Sequence, residues 1–179
     1  MTNRKSLGFL AESALIAALY LVLTVFTRFF GIADGAIQFR LSEALTILPV
    51  FTPAAIPGLT LGCFLASLGS PFGIADMLCG SLATLLAAVV TWLLRKITVA
   101  GLPVLSFFAP VFFNGVIVGA LITLMTETGQ IVPDAFRWTV FLSSAATVAL
   151  GELAVCYGLG IPFYWMLKKA DRGGHLFRR

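Results

Sequence analysis

From Leu7 to about Phe30 the chain carries only two charged residues, Glu12 and Arg28. That run is long enough to cross the hydrocarbon of a bilayer, which takes roughly 20 helical residues. Further apolar segments follow at about 40–51, 54–69, 74–95, 103–125 and 138–167. A chain made of such segments is short of polar surface. It is 59% hydrophobic and 11% charged, where a soluble domain usually has about 25% charged residues. The reading is an all-α integral membrane protein, with residues 1–179 as a single transmembrane domain and no separate soluble module.

The net charge of +4 does not point to nucleic acid, because of where the cations sit. Most fall in three clusters: Arg4 and Lys5; Arg95 and Lys96; and Lys168, Lys169, Arg172, Arg178 and Arg179. Basic clusters beside apolar segments mark cytoplasmic ends and contacts with anionic lipid. Six segments place both termini on one side, so the N-terminus, the Arg95–Lys96 turn and a basic tail over 168–179 all face the cytoplasm. The first apolar run reads as a retained anchor rather than a cleaved signal. Cys63, Cys79 and Cys156 lie inside apolar segments without a CxxC pair, and read as small core residues.

One stretch departs from this pattern. In "QFRLSEALTILPVFTPAAIPGL", Gln38 to Leu59, two opposite charges precede a segment interrupted by Pro49, Pro53 and Pro57. Arg40 to Phe51 is too short to span, so the expectation is a short second helix in the outer part of the bundle. With its successor it forms a broken pair. Small residues recur at four-residue spacing in Ala14/Ala18, Gly58/Gly62 and Gly115/Gly119. Such faces let helices approach closely in lipid. Ala11, Ala14 and Ala18 form a smooth stripe on the first helix, suited either to packing within the bundle or to a partner subunit.

Ionisable groups inside spans are costly and usually functional. Glu12 and Arg28 lie near helix ends, within reach of headgroups. Arg40 and Glu43 stand at i and i+3, where a helix pairs them on one face. They either hold the first loop or face a substrate. Asp76 opens the fourth segment, where an acid suits the positive end of the helix dipole, so capping competes with a binding role. Glu152 lies near mid-membrane depth in "VALGELAVCYGLG", and Asn114 in "FFNGVIVG" is its expected neighbour. That pair either locks two helices or meets a ligand.

Enzyme chemistry finds little support. The one histidine, His175, is in the tail, so a Ser–His pair inside the membrane lacks its base. Asp76 is the one aspartate within a span, so no aspartyl dyad forms. There is no P-loop pattern and no metal-ligand spacing. The chain reads as a binder or conductor, not an enzyme, with no cofactor and no metal.

"FRLSEALTILPVFTPAAIPGLTLGC" followed by "GIADMLCGSLATLLAA" resembles the QueT family of queuosine-precursor transporters, over about residues 8–167 and most clearly across Phe39–Ala88. These are substrate-binding S components of energy-coupling-factor (ECF) transporters. The resemblance implies a six-transmembrane-helix S-component bundle in a bacterial cell membrane, capturing its substrate at the outer face. It implies as partners a transmembrane coupling subunit, which docks on the alanine face Ala11, Ala14 and Ala18, and two ATPase subunits. Transport is then toppling of the whole bundle. The implied ligand is a 7-deazaguanine such as preQ1, preQ0 or queuine. A carboxylate accepts two hydrogen bonds from a guanine-like edge, an asparagine meets both donor and acceptor, and aromatic rings sandwich the flat base. Glu152, Asn114, Asp76, Glu43 and Arg40 supply the polar groups, with Phe39, Phe72 and Trp138 as stacking candidates. The alternatives are a stand-alone proton-coupled carrier relaying through Glu152, Asp76 and Glu43, an S component for another vitamin-like molecule, and an assembly subunit without a ligand.

Overall fold

The computed structural model describes residues 2–33, 39–70, 73–125, 131–132 and 136–171. Among the described residues six α-helices follow one another: α1 (Thr2–Phe29), α2 (Ala55–Ala66), α3 (Gly73–Leu94), α4 (Val104–Leu124), α5 (Trp138–Gly158) and α6 (Gly160–Ala170). A 3-10 helix, Leu41–Val50, lies between α1 and α2, and a single 3-10 turn, Ser67–Gly69, follows α2. Four stretches among the described residues are long and apolar enough to cross a membrane: Ser6–Phe29, Gly73–Leu94, Val104–Leu124 and Trp138–Ala170. The last comprises α5 and α6, which part at Leu159. Pro162 explains the break, since it has no N–H to offer the carbonyl of Gly158 one turn earlier.

The distribution of side chains is that of a protein in lipid. Leu15, Val22, Phe26, Leu82, Phe112 and Leu142 point outward, while Ser42, Glu43, Asp76, Thr91, Asn114 and Glu152 are buried. Lipid accepts apolar groups at no cost, whereas polar groups must find partners inside. Helix pairs lock through such partners: Thr91 donates to the carbonyl of Ser106 at 3.1 Å and Ser106 to that of Thr91 at 3.2 Å, joining α3 to α4.

Glycines set how closely the helices pack. A Cβ added at Gly62 of α2 would stand 2.7 Å from Cβ of Tyr20 on α1, and one at Gly58 would stand 2.7 Å from the carbonyl oxygen of Ser13. On α4, a Cβ at Gly119 would stand 2.8 Å from Cα of Ala145 on α5. These two small-residue pairs are used inside the bundle. Ala11, Ala14 and Ala18 instead lie exposed, on the side of α1 away from buried Ser13, Ile16, Ala17 and Tyr20.

The Leu41–Val50 helix corrects one expectation. Its shortness suggested the outer part of the bundle, yet it packs against all six α-helices, and Ser42, Glu43 and Leu45 through Pro49 are buried. A helix that is mostly apolar belongs in a core, where its buried Ser42, Glu43 and Thr46 must find partners. The 3-10 geometry also lengthens its reach: at about 2.0 Å per residue its ten residues extend about 20 Å, against about 15 Å for an α-helix. Leu45 and Leu48 pack with Ile16, Tyr20, Leu59 and Cys63, and Ile47 packs with Phe107 and Tyr164.

Candidate functional site

The first turn of this central helix carries Glu43, which is 2% exposed. Three elements converge on it. Tyr20 of α1 donates its hydroxyl to Glu43 Oε1. Asn114 of α4 donates from Nδ2 to Glu43 Oε2 at 3.5 Å, and from the same nitrogen to Glu152 Oε1 of α5 at 2.9 Å. One amide nitrogen thus joins two carboxylates from different elements, using both of its hydrogens. Cys156, one turn beyond Glu152, directs its thiol toward Glu152 Oε2 at 3.6 Å and the backbone oxygen of Glu43 at 3.7 Å. Beside them Thr24 donates to the hydroxyl of Ser42 at 2.7 Å, a second tie between α1 and the central helix.

Local sequence explains how each group arrives. Gly62 lets α1 approach α2 closely at the level of Tyr20, while Gly119 brings α4 onto α5 one to two turns from Asn114. Hydrogen bonds to charged groups contribute about 1.5–3 kcal/mol each, so this cluster also specifies how the helices meet. Two carboxylates served by one amide and one phenol have the chemistry to accept N–H donors or to face a cation.

A second buried pair adjoins the first turn of the central helix. Arg40 reaches Asp76 near the start of α3, Nη2 to Oδ2 at 3.7 Å. Arg40 and Glu43 therefore do not pair as their spacing suggests, because Glu43 turns to Tyr20 and Asn114 while Arg40 crosses to another helix. Gly73, at a φ of 61°, turns the chain into α3 just ahead of Asp76. Asp76 is 0% exposed, and neither of its carboxylate oxygens has a hydrogen-bond partner among the described residues. Buried acceptors are seldom left so.

The structure therefore brings Glu43, Asn114 and Glu152 together, with Arg40 and Asp76 as a neighbouring pair. Phe39 is partly exposed, its N–H bonded to the carbonyl of Ile32 at 2.9 Å. Trp138 lies elsewhere, exposed at the start of α5 and edge-on to Phe136 and Phe141. Phe72 falls outside the described residues. Tyr20 escaped the sequence reading, which took the first span for its charged ends. The available signal was a phenol in the middle of an apolar helix, which needs a partner when buried.

Over 72 residues the chain is 39% identical to the queuosine precursor transporter QueT of Lactococcus lactis subsp. cremoris (strain MG1363), a match covering 40% of this chain and 42% of that protein. The chain thus matches less than half the length of this relative. No solved structure matches the chain. The profile described as QueT transporter matches residues 10–169, nearly the whole chain. With its apolar spanning helices, this chain belongs to the QueT transporter family, a family of membrane transporters and not of enzymes.

Proposed function

We propose that the chain is the substrate-binding S component of an ECF-type importer and captures a queuosine precursor, a 7-deazaguanine such as preQ1, preQ0 or queuine. The observation that carries this reading is the buried amide of Asn114 shared by Glu43 and Glu152. Such a cluster offers acceptors to the N–H edge of a guanine-like base, and its second carboxylate suits the cationic aminomethyl group of preQ1. Asp76 supplies further acceptors, held in place by Arg40. Family membership supports the same ligand class, since the Lactococcus relative is named for it.

In this reading α5 and α6 count as one span and the 3-10 helix as another, giving a six-segment bundle. The basic ends Arg4–Lys5, Arg95–Lys96 and Lys168–Lys169 face the cytoplasm. Exposed Ala11, Ala14 and Ala18 receive a transmembrane coupling subunit, and two ATPase subunits drive toppling of the bundle. Calorimetry on the purified chain without ATP tests the ligand. Heat and saturation with preQ1, preQ0 or queuine are expected, and the absence of both for all three would sink the proposal.

The juxtaposition of Glu43 and Glu152 also favours a second reading, a stand-alone carrier that relays protons between them. Uptake that continues without the ATPases and stops on adding an uncoupler would select it.

A further inference from the structure

A cavity of about 510 Å³ opens away from the carboxylate cluster, at the end of the bundle where α3 finishes. Its walls include Phe51 after the central helix, Trp92, Arg95 and Lys96 at the end of α3, and Tyr164 and Lys168 on α6. Three cations share this lining, and no carboxylate does among the described residues. Two of the three are held by aromatic rings. The Arg95 guanidinium lies over the ring of Trp92, 3.9 Å from its centroid. The Lys168 ammonium stands 5.4 Å from the ring of Tyr164 and 5.0 Å from that of Trp165. Lys168 is also anchored to the α3–α4 turn, donating to the carbonyl of Gly101 at 3.4 Å.

Cations gathered around one cavity repel each other unless an anion joins them. Ring faces position the charges without neutralising them. Arg95 Nη1 donates to the carbonyl of Trp92 at 2.5 Å, and the remaining N–H groups of the stacked guanidinium match phosphate oxygens. We propose that this cavity binds a phosphate group of net negative charge, presented by the headgroup of an anionic phospholipid. The surroundings favour a lipid over free phosphate: Leu93, Trp165 and Met166 are exposed apolar neighbours in sequence of the lining residues, and offer acyl chains a surface. Tryptophan, tyrosine, lysine and arginine together are also what membrane interfaces select, and basic pockets between spanning helices take lipid headgroups.

The inference rests on the chain being a membrane bundle, not on which precursor it carries. The experiment is thermal unfolding of the purified chain in a zwitterionic detergent. Short-chain phosphatidylglycerol, short-chain phosphatidylcholine or inorganic phosphate is titrated in, and preQ1 binding is measured in the same samples. Phosphatidylglycerol is expected to stabilise the chain where phosphatidylcholine does not. In the double variant Arg95→Gln, Lys168→Gln its apparent affinity falls about 25-fold, at about fivefold per cation, while preQ1 binding is unchanged. Stabilisation by inorganic phosphate alone, lost in the same variant, would keep the phosphate site and assign it to a free anion. Equal response to both lipids, or full retention in the variant, overturns the proposal. Should the variant not fold, the wild-type chain decides: raising salt from about 0.05 to 0.5 M must weaken the phosphatidylglycerol effect, and an effect indifferent to salt overturns it.

Discussion

Tyr20 and Glu43, 23 residues apart in sequence, meet at the centre of the bundle, the phenol donating to the carboxylate. This bond ties α1, whose outer side carries Ala14 and Ala18, to the element that presents one of the two carboxylates. Replacing Tyr20 with Phe removes one hydroxyl and leaves the packing. Unfolding should then be easier by about 1.5–3 kcal/mol, the range for a hydrogen bond to a charged group. Affinity for preQ1 should also fall several-fold, because Glu43 loses the bond that orients it. Thermal unfolding and calorimetry on the same preparation read both, and an unchanged affinity would confine Tyr20 to a structural role.

Glu152→Gln separates charge from shape. Glutamine still reaches Asn114, so the variant should fold and accumulate normally. If Glu152 accepts N–H donors from the base or faces the ammonium of preQ1, affinity should drop at least tenfold, about 1.4 kcal/mol. A selective loss for preQ1 over uncharged preQ0 would assign Glu152 to the aminomethyl group. Equal losses would assign it to the ring edge. A fall in abundance with affinity intact would mean that it only locks α4 to α5.

Two glycine substitutions of the same kind should have opposite effects. Gly62→Ala puts a methyl group 2.7 Å from Cβ of Tyr20, so α1 must withdraw, at about 1–3 kcal/mol. Gly158→Ala meets nothing within 4 Å. It should be neutral or stabilising by up to about 1 kcal/mol, as alanine restricts the unfolded chain and favours helix. Melting temperatures of the two variants test the close α1–α2 approach.

Ala14 and Ala18 face outward, so larger side chains there leave the interior alone. Ala14→Leu with Ala18→Leu should preserve preQ1 affinity and abolish uptake in cells that carry the coupling subunit and ATPases. Uptake at the wild-type rate would remove this face from the docking surface.

Much of this architecture was legible in the sequence, for reasons that differ from residue to residue. Glu152 and Asn114 announce themselves because each is an isolated polar group within an apolar span, where a partner is required. The structure sets them 2.9 Å apart. The glycine pairs on α2 and α4 were likewise visible as spacing, though not which helices they meet. Arg40 misled, since proximity in sequence suggested Glu43, whereas the backbone turn at Gly73 brings Asp76 of another helix to it. Length misled for Leu41–Val50: too few residues to span suggested the margin, while burial on every side put it in the middle. Tyr20 was missed because a lone phenol scarcely alters the apolar character of a span.

The central position of that short helix has a mechanical consequence. A wedge that bears on every wall of a vault leaves no stone free to slip alone, and Leu41–Val50 bears on all six α-helices. Strain introduced at Glu43 is shared among them at once. Among the described residues the bundle has a hub that every α-helix shares, which is what the proposed toppling as one piece would need.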